Sequence, residues 1–316
     1  MAETTGVDRV APVATVPLIR RFRGQLQLQL MTLPGLLFLI LFAYLPMISL
    51  IIAFQDFKIL MGYFASPWVG LKHFTWALVD PEFYPAFRNT VLLSLYGMVI
   101  GFPAPILLAL LINEIPRAGF KRVVQTTSYL PHFISYVVTA YLFILLLDRR
   151  GIVNDVLLAV GLIDEPVLFW TKAEYWRLMA TLVNVWKGMG WSAIIYLAAI
   201  ASIDEQLYEA AIIDGAGRLR RIWRITLPNI TGIIAVLLIL NMGGLVRAGL
   251  DTSYLLGNLF TRETSYVLEY YTLEMGLELG RYSFATAIGL MQSLLALILV
   301  VITNWLSGRI SGRSLF

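Results

Sequence analysis

The sequence predicts an all-α, polytopic membrane protein with six transmembrane helices. Of its 316 residues, 59% are hydrophobic and 14% are charged, whereas a soluble globular chain carries about 25% charged residues. Mean hydropathy is +0.76. The apolar residues fall in runs of roughly 20 or more, the length a helix needs to cross a hydrocarbon core of about 30 Å.

The first run follows Arg20, Arg21 and Arg23 and continues to Phe54 without a small-residue cleavage site. It is too long for the apolar part of a secretory signal, so an uncleaved first span is expected over about 30–54. Five more spans are expected at about 90–113, 123–147, 178–201, 228–247 and 283–306. The chain therefore divides into an N-terminal segment at 1–29, a transmembrane domain at 30–306 and a tail at 307–316.

An even number of spans puts both termini on one side. Arg9, Arg20, Arg21 and Arg23, then Arg117, Lys121 and Arg122, then Arg218, Arg220, Arg221 and Arg224, then Arg309 and Arg313 all fall on that side. Most carboxylates, such as Asp148, Asp155, Asp164, Glu165 and Glu174, fall on the other. Basic residues are retained in the cytoplasm, so both termini are expected there. Topology also accounts for the net charge of +4 without a nucleic-acid partner.

Pro34, Pro46, Pro103, Pro105 and Pro131 lie in or at the ends of apolar runs. They kink or break helices unless neighbours satisfy the freed carbonyls, but proline is ordinary in membrane helices and does not by itself mark a transport path. The segments 55–89, 148–177 and 248–282 are rich in aromatic residues, including Tyr63, Trp68, Trp170 and Trp176. These form either an interfacial belt or a folded docking surface.

Composition also excludes chemistry. Without cysteine there is no disulfide, iron–sulfur cluster or thiol nucleophile. Two separated histidines, His73 and His132, make no transition-metal cluster. No phosphate-cradling Gly-rich Lys-Ser/Thr loop is present, so the chain cannot itself hydrolyse ATP. No catalytic constellation is seen, and no cofactor is expected in this chain. A transporter driven by an ion gradient would need ionisable groups within its spans, whereas the carboxylates cluster in loops. A membrane enzyme would need a convergent set of acids, bases or ligands.

The segment 203–228 is the most informative. It reads as two short amphipathic helices joined at Gly215 and Gly217, with Pro228 marking the restart of the next span. The first helix carries Leu207, Ala210, Ala211 and Ile213 beside Asp204, Glu205, Glu209 and Asp214. A protruding helix of this kind is suited to a groove in another protein.

Glu209-Ala210-Ala211, three residues, Gly215, nine residues, then Ile225, one residue and Leu227-Pro228 resembles the EAA signature of permeases in binding-protein-dependent, type I ABC importers. The resemblance implies the fold of those permeases, and a helix that inserts into a cleft of a separate ATPase. Glu209 would contact that ATPase, Ala210 and Ala211 would permit close packing, and Gly215 would form the turn, with Asp214, Ile225, Leu227 and Pro228 completing the coupling segment.

Gly70-Leu71-Lys72-His73-Phe74, Trp186-Lys187-Gly188-Met189-Gly190-Trp191 and Tyr282-Ser283-Phe284-Ala285-Thr286 resemble permeases for oligosaccharides and polysaccharide fragments. The sequence departs from those relatives at Asn258-Leu259 and Val267-Leu268-Glu269-Tyr270. Partners implied by the resemblance are a second, different permease subunit, two ATPase subunits holding ATP and Mg²⁺, an extracytoplasmic solute-binding protein and a sugar, all at the bacterial inner membrane. Two identical permease copies remain the alternative.

By the same resemblance, the helices flanking the coupling segment line the sugar path. Gly188, Trp191, Asn241, Gly244 and Leu245 match it, with Trp191 and Asn241 foremost. Asn184, Lys187, Arg247 and Gln292 are further polar residues at membrane depth or near its edge, where burial is costly. Hydrogen bonding between helices and snorkelling are the alternative roles for each.

Overall fold

A computed structural model describes residues 26–247 and 249–311. Arg9, Arg20, Arg21, Arg23 and Arg313, most of the segment 1–29 and the end of the tail lie outside them. Among the described residues there is no strand, apart from one antiparallel bridge between Gln55 and Trp68; the rest of the ordered structure is helical.

The chain forms two units, dividing at Ile52. In the first lies most of α1 (Leu26–Phe54), which begins earlier than the expected boundary. Its apolar side chains are largely exposed, as suits a lipid-facing helix. The second unit holds α2 (Lys72–Val79), α3 (Phe83–Asn113) and α4 (Ala118–Phe133). It continues through α5 (Tyr136–Leu146), α6 (Ile152–Ala159), α7 (Ala173–Ala201), α8 (Glu205–Ile213) and α9 (Arg218–Arg247). It ends with α10 (Leu250–Leu256), α11 (Leu268–Leu273) and α12 (Tyr282–Ser311).

Among the described residues, α1, α3, α9 and α12 are long and apolar enough to cross a bilayer. The expected fourth span is α7. At 29 residues it measures about 43 Å, but it carries Arg177, Asn184 and Lys187. The expected third span is not one straight helix: α4 and α5 meet at a bend of 106°. Pro131 lies in the closing 3₁₀ turn of α4. Ser135 caps α5, its hydroxyl accepting from the Val138 N–H at 3.3 Å. A stop signal and a start signal therefore lie four residues apart.

Prolines within the other spans do not break them. Pro46, Pro103 and Pro228 each follow a five-residue π-helical turn, at Ile40–Tyr44, Gly97–Gly101 and Ile222–Thr226. Proline cannot donate to the carbonyl four residues back, and its ring crowds that carbonyl. A wider turn shifts the hydrogen-bond register, as where the Phe102 N–H donates to the Gly97 carbonyl at 2.9 Å. Pro228 therefore does not restart a helix. The second half of the expected hairpin runs unbroken into the fifth span as α9.

Three apolar clusters hold the second unit. Ile106, Ala109, Ala193, Tyr196 and Ile230 join α3, α7 and α9 at one end. Leu93, Ala140, Trp176, Val183 and Leu256 join α3, α5, α7 and α10. Ala77, Ala86, Tyr271, Phe284 and Ile288 join α2, α3, α11 and α12. Polar pins tie the 250–281 segment to these helices. Buried Asn89 donates to the Glu263 and Tyr266 carbonyls at 2.9 and 3.0 Å and accepts from Arg177 at 2.8 Å. Fully buried Trp176 donates to the Leu256 carbonyl at 3.2 Å.

Candidate functional site

Two regions matter. The first is the turn between α8 and α9. Asp204 starts α8 by accepting from the Gln206 N–H at 3.0 Å, a standard N-cap. The helix ends in a Schellman motif: the Ala216 N–H donates to the Ala211 carbonyl at 2.8 Å and the Gly215 N–H to the Ile212 carbonyl at 3.0 Å. Such a motif needs a left-handed residue after the cap, and Gly215 supplies it at φ +74°. Asp214 is the cap itself. A hydrogen bond of 2.9 Å between the hydroxyls of Tyr208 and Thr226 ties α8 to α9.

No α8 residue is buried. Glu209 and Ala210 are exposed and Ala211 half-buried, while Ile225 and Leu227 turn partly inward and Pro228 is exposed. Ile213 and Trp223 expose 86% and 66% of their surfaces. Glu205, Tyr208, Glu209, Arg218 and Arg221 line a groove of about 540 Å³ that also takes in Asn113–Pro116, the turn between α3 and α4. An apolar, small-residue face with a carboxylate at its edge is left open beside this groove.

The second region is a cavity of about 480 Å³ among α3, α7 and α9. Asn184, Gly188, Asn241, Gly244 and Leu245 line it, with Ser94, Thr181 and Ser192. The Ser94 hydroxyl donates to the Leu245 carbonyl. A chamber of about 300 Å³ shares Asn184 and Gly249 with it and is lined by Tyr136, Arg247, Asp251, Thr252 and Glu269. Burial pushes the Glu269 carboxyl above the ordinary carboxylate range. The Leu250 N–H and Arg247 oppose that shift, and Asp251 adds to it.

Six of the nine expected path residues thus line one or other of two spaces that share the Asn184 and Gly249 walls. Lys187, Trp191 and Gln292 do not line them. The Lys187 ammonium is turned to the α4–α5 break. It donates to the Pro131 carbonyl at 3.4 Å, to the His132 carbonyl at 3.0 Å and to the Ile134 carbonyl. Trp191 stacks on His132 with ring centroids 4.6 Å apart, and Gln292 is buried in α12 at 4% exposure. Helical spacing places Asn184, Lys187, Gly188 and Trp191 on one side of α7. Half of that side faces the cavity and half faces the break. Asn184 serves both, accepting from the Tyr136 hydroxyl at 2.8 Å.

Sequence reasoning missed Tyr136, Asp251 and Glu269. Glu269 did stand out as a departure from the sugar permeases, while Tyr136 gave no signal, because a straight third span conceals the break that turns it inward.

The chain is similar to known proteins over nearly its full length. It is 43% identical over 293 residues to the "Polygalacturonan/rhamnogalacturonan transport system permease protein YteP" of Bacillus subtilis, covering 92% of this chain and 91% of that protein. It is 38% identical over 319 residues to "Protein LplB" of the same organism, covering 99% and 100%. A chain in a crystal structure of a bacterial ABC transporter "involved in the import of the acidic polysaccharide alginate" superposes with a TM-score of 0.84 at 40% identity, covering 94% of this chain and all of that one. A chain of the alginate ABC transporter "in complex with alginate pentasaccharide-bound periplasmic protein" gives 0.85 at 38% identity, covering 95% and 100%. The family described as "Binding-protein-dependent transport system inner membrane component" matches residues 101–312, and this chain belongs to it, as a non-catalytic permease subunit of an ABC transporter.

Proposed function

We propose that this permease carries a sugar, an oligosaccharide or polysaccharide fragment, inward across the cytoplasmic membrane, coupled through residues 203–228 to ATP hydrolysis by separate subunits. The observation that carries the reading is the open face of α8: Glu209 and Ala210 stand exposed and Ala211 half-buried on a capped helix in which no residue is buried among the described residues. An ATPase cleft would receive that helix, with Asp214 and Gly215 setting its exit and Ile225, Leu227 and Pro228, about two turns into α9, completing the coupling segment. ATP and Mg²⁺ would be held by that partner.

The cavity supports the second half of the reading. Its walls supply amide, hydroxyl and small-residue surface from Asn184, Asn241, Ser94, Gly188 and Gly244, the kind of lining that can hydrogen-bond a sugar without trapping it. Relatives named for polygalacturonan, rhamnogalacturonan and alginate point to a uronate-containing oligosaccharide. A second and different permease subunit, two ATPases and a solute-binding protein would complete the importer. Its orientation would put both termini and the α8–α9 turn in the cytoplasm.

The test is to purify the complex with its ATPase and binding protein, reconstitute it, and measure ATP hydrolysis with oligogalacturonides, oligoalginates and neutral oligosaccharides. Stimulation by a saccharide-loaded binding protein, with uptake of that saccharide, is expected. ATP hydrolysis indifferent to every loaded binding protein would overturn the reading.

A further inference from the structure

A lysine in a membrane helix is costly to bury and needs a reason. Lys187 is 8% exposed, and its surroundings leave it nothing to offer a substrate. An ammonium has three N–H donors, and three carbonyls receive them: Pro131 at 3.4 Å, His132 at 3.0 Å and Ile134. These carbonyls lie where α4 ends, at the negative end of that helix; that of Pro131 also accepts from the Ile134 N–H at 3.2 Å. The ammonium also lies 5.0 Å from the centre of the Tyr136 ring, on the first turn of α5. Beyond the ring, the Tyr136 hydroxyl donates to Asn184 at 2.8 Å. Asn184 lies three residues before Lys187 on α7 and is a wall of both the cavity and the chamber. One turn further along, Gly190 lets α7 approach α4 closely: a Cβ there would lie 1.9 Å from the Ser128 carbonyl oxygen.

Resting on the permease reading above, we propose that Lys187 is a positioning residue of the sugar path: its ammonium closes the end of α4, fixes the bend into α5, and so holds Tyr136 against Asn184 at the cavity wall. It acts through Tyr136 and touches no substrate. The bend is thereby a built part of the path, and the charge in the membrane is saturated by backbone.

Because the chain has no cysteine, a pair can be introduced at Val123 and Val138, exposed positions on either side of the break, and spin-labelled in the assembled complex. In K187M the label-to-label distance is expected to shift or broaden and saccharide uptake to fall about tenfold, since the carbonyls at the break lose the ammonium that bridges them. K187R, which restores donors, should recover most of both. Y136F should lower uptake with the distance unchanged, and K187M/Y136F should be no worse than K187M. If K187M does not accumulate, K187Q carries the same comparison.

An unchanged distance in K187M would overturn the proposal. So would a loss of uptake confined to acidic saccharides with the distance intact, which would mark direct contact with substrate. A wild-type complex that imports no saccharide would remove the sugar reading, while the distance measurement would still decide the role of Lys187.

Discussion

The indole of Trp191 lies flat on the imidazole of His132, the rings 5° from parallel and their centres 4.6 Å apart. Phe133 meets the same indole edge-on at 5.6 Å. The contact joins the middle of α7 to the closing turn of α4, one turn beyond Lys187. An aromatic pair adds about 0.5–1.5 kcal/mol beyond its buried area. His132→Ala should therefore lower the melting temperature of the detergent-purified complex by a few degrees, and Trp191→Ala by more. A Trp191→Ala variant with unchanged melting but lost uptake would assign the ring to the substrate.

Gly188 and Gly190 lie two residues apart and should behave oppositely. A Cβ at Gly190 would strike the Ser128 backbone, whereas one at Gly188 meets nothing within 4 Å. Gly190→Ala should cost about 1–3 kcal/mol, as overpacking does, and reduce accumulation in membranes. Gly188→Ala should accumulate normally and act only on uptake, because it narrows the cavity. Immunoblots of membranes and uptake assays separate the two.

Glu209→Lys reverses a charge on an exposed helix and should leave insertion and assembly intact. Gly215→Asp places a side chain at φ +74°, a conformation costing an L-residue about 1 kcal/mol or more, and distorts the end of α8. Both variants should hydrolyse ATP without matched uptake, read as a fall in saccharide imported per ATP consumed. Wild-type transport in both would remove the coupling role of the turn.

Glu269 should make stability depend on pH. Burial raises its pKa, so the fold favours the neutral acid. That contribution is complete below the unfolded value of about 4.3 and is lost as pH rises through the higher folded value. Glu269→Gln keeps an uncharged side chain throughout. Its stability advantage over the parent should therefore grow between mildly acidic and neutral pH, as thermal unfolding at a series of pH values would show.

Four spans, α1, α3, α9 and α12, were legible because length and apolarity suffice to mark them, and they match expectation except where α3 and α9 begin earlier, at Phe83 and Arg218. The α8–α9 turn was legible for a local reason: Asp204, Gly215 and their spacing dictate a cap and a left-handed exit whatever surrounds them. Two things were not. Pro131 and Ser135 were visible, but a stop and a start give no angle, and the angle depends on how closely α7 approaches. The periodicity of α7 likewise groups Asn184, Lys187, Gly188 and Trp191 without saying which neighbour each meets. Pro228 misled because a proline that ends one hydrogen-bond register can be absorbed by a π turn as readily as by a new helix.

The uninterrupted course of α9 has a mechanical consequence. Its 30 residues make a rod about 45 Å long, with the Gly217 turn at one end and Asn241 and Gly244 near the other. Its π turn at Ile222–Thr226 lies near the base, and from Leu227 to Gly244 it is one uninterrupted α-helix. Tilting such a rod by about 5° around its turn displaces Asn241 by roughly 3 Å, about the width of a hydroxyl group. Under the coupling proposed above, a movement of that size at the α8–α9 turn would shift Asn241 against Asn184 across the cavity that both line.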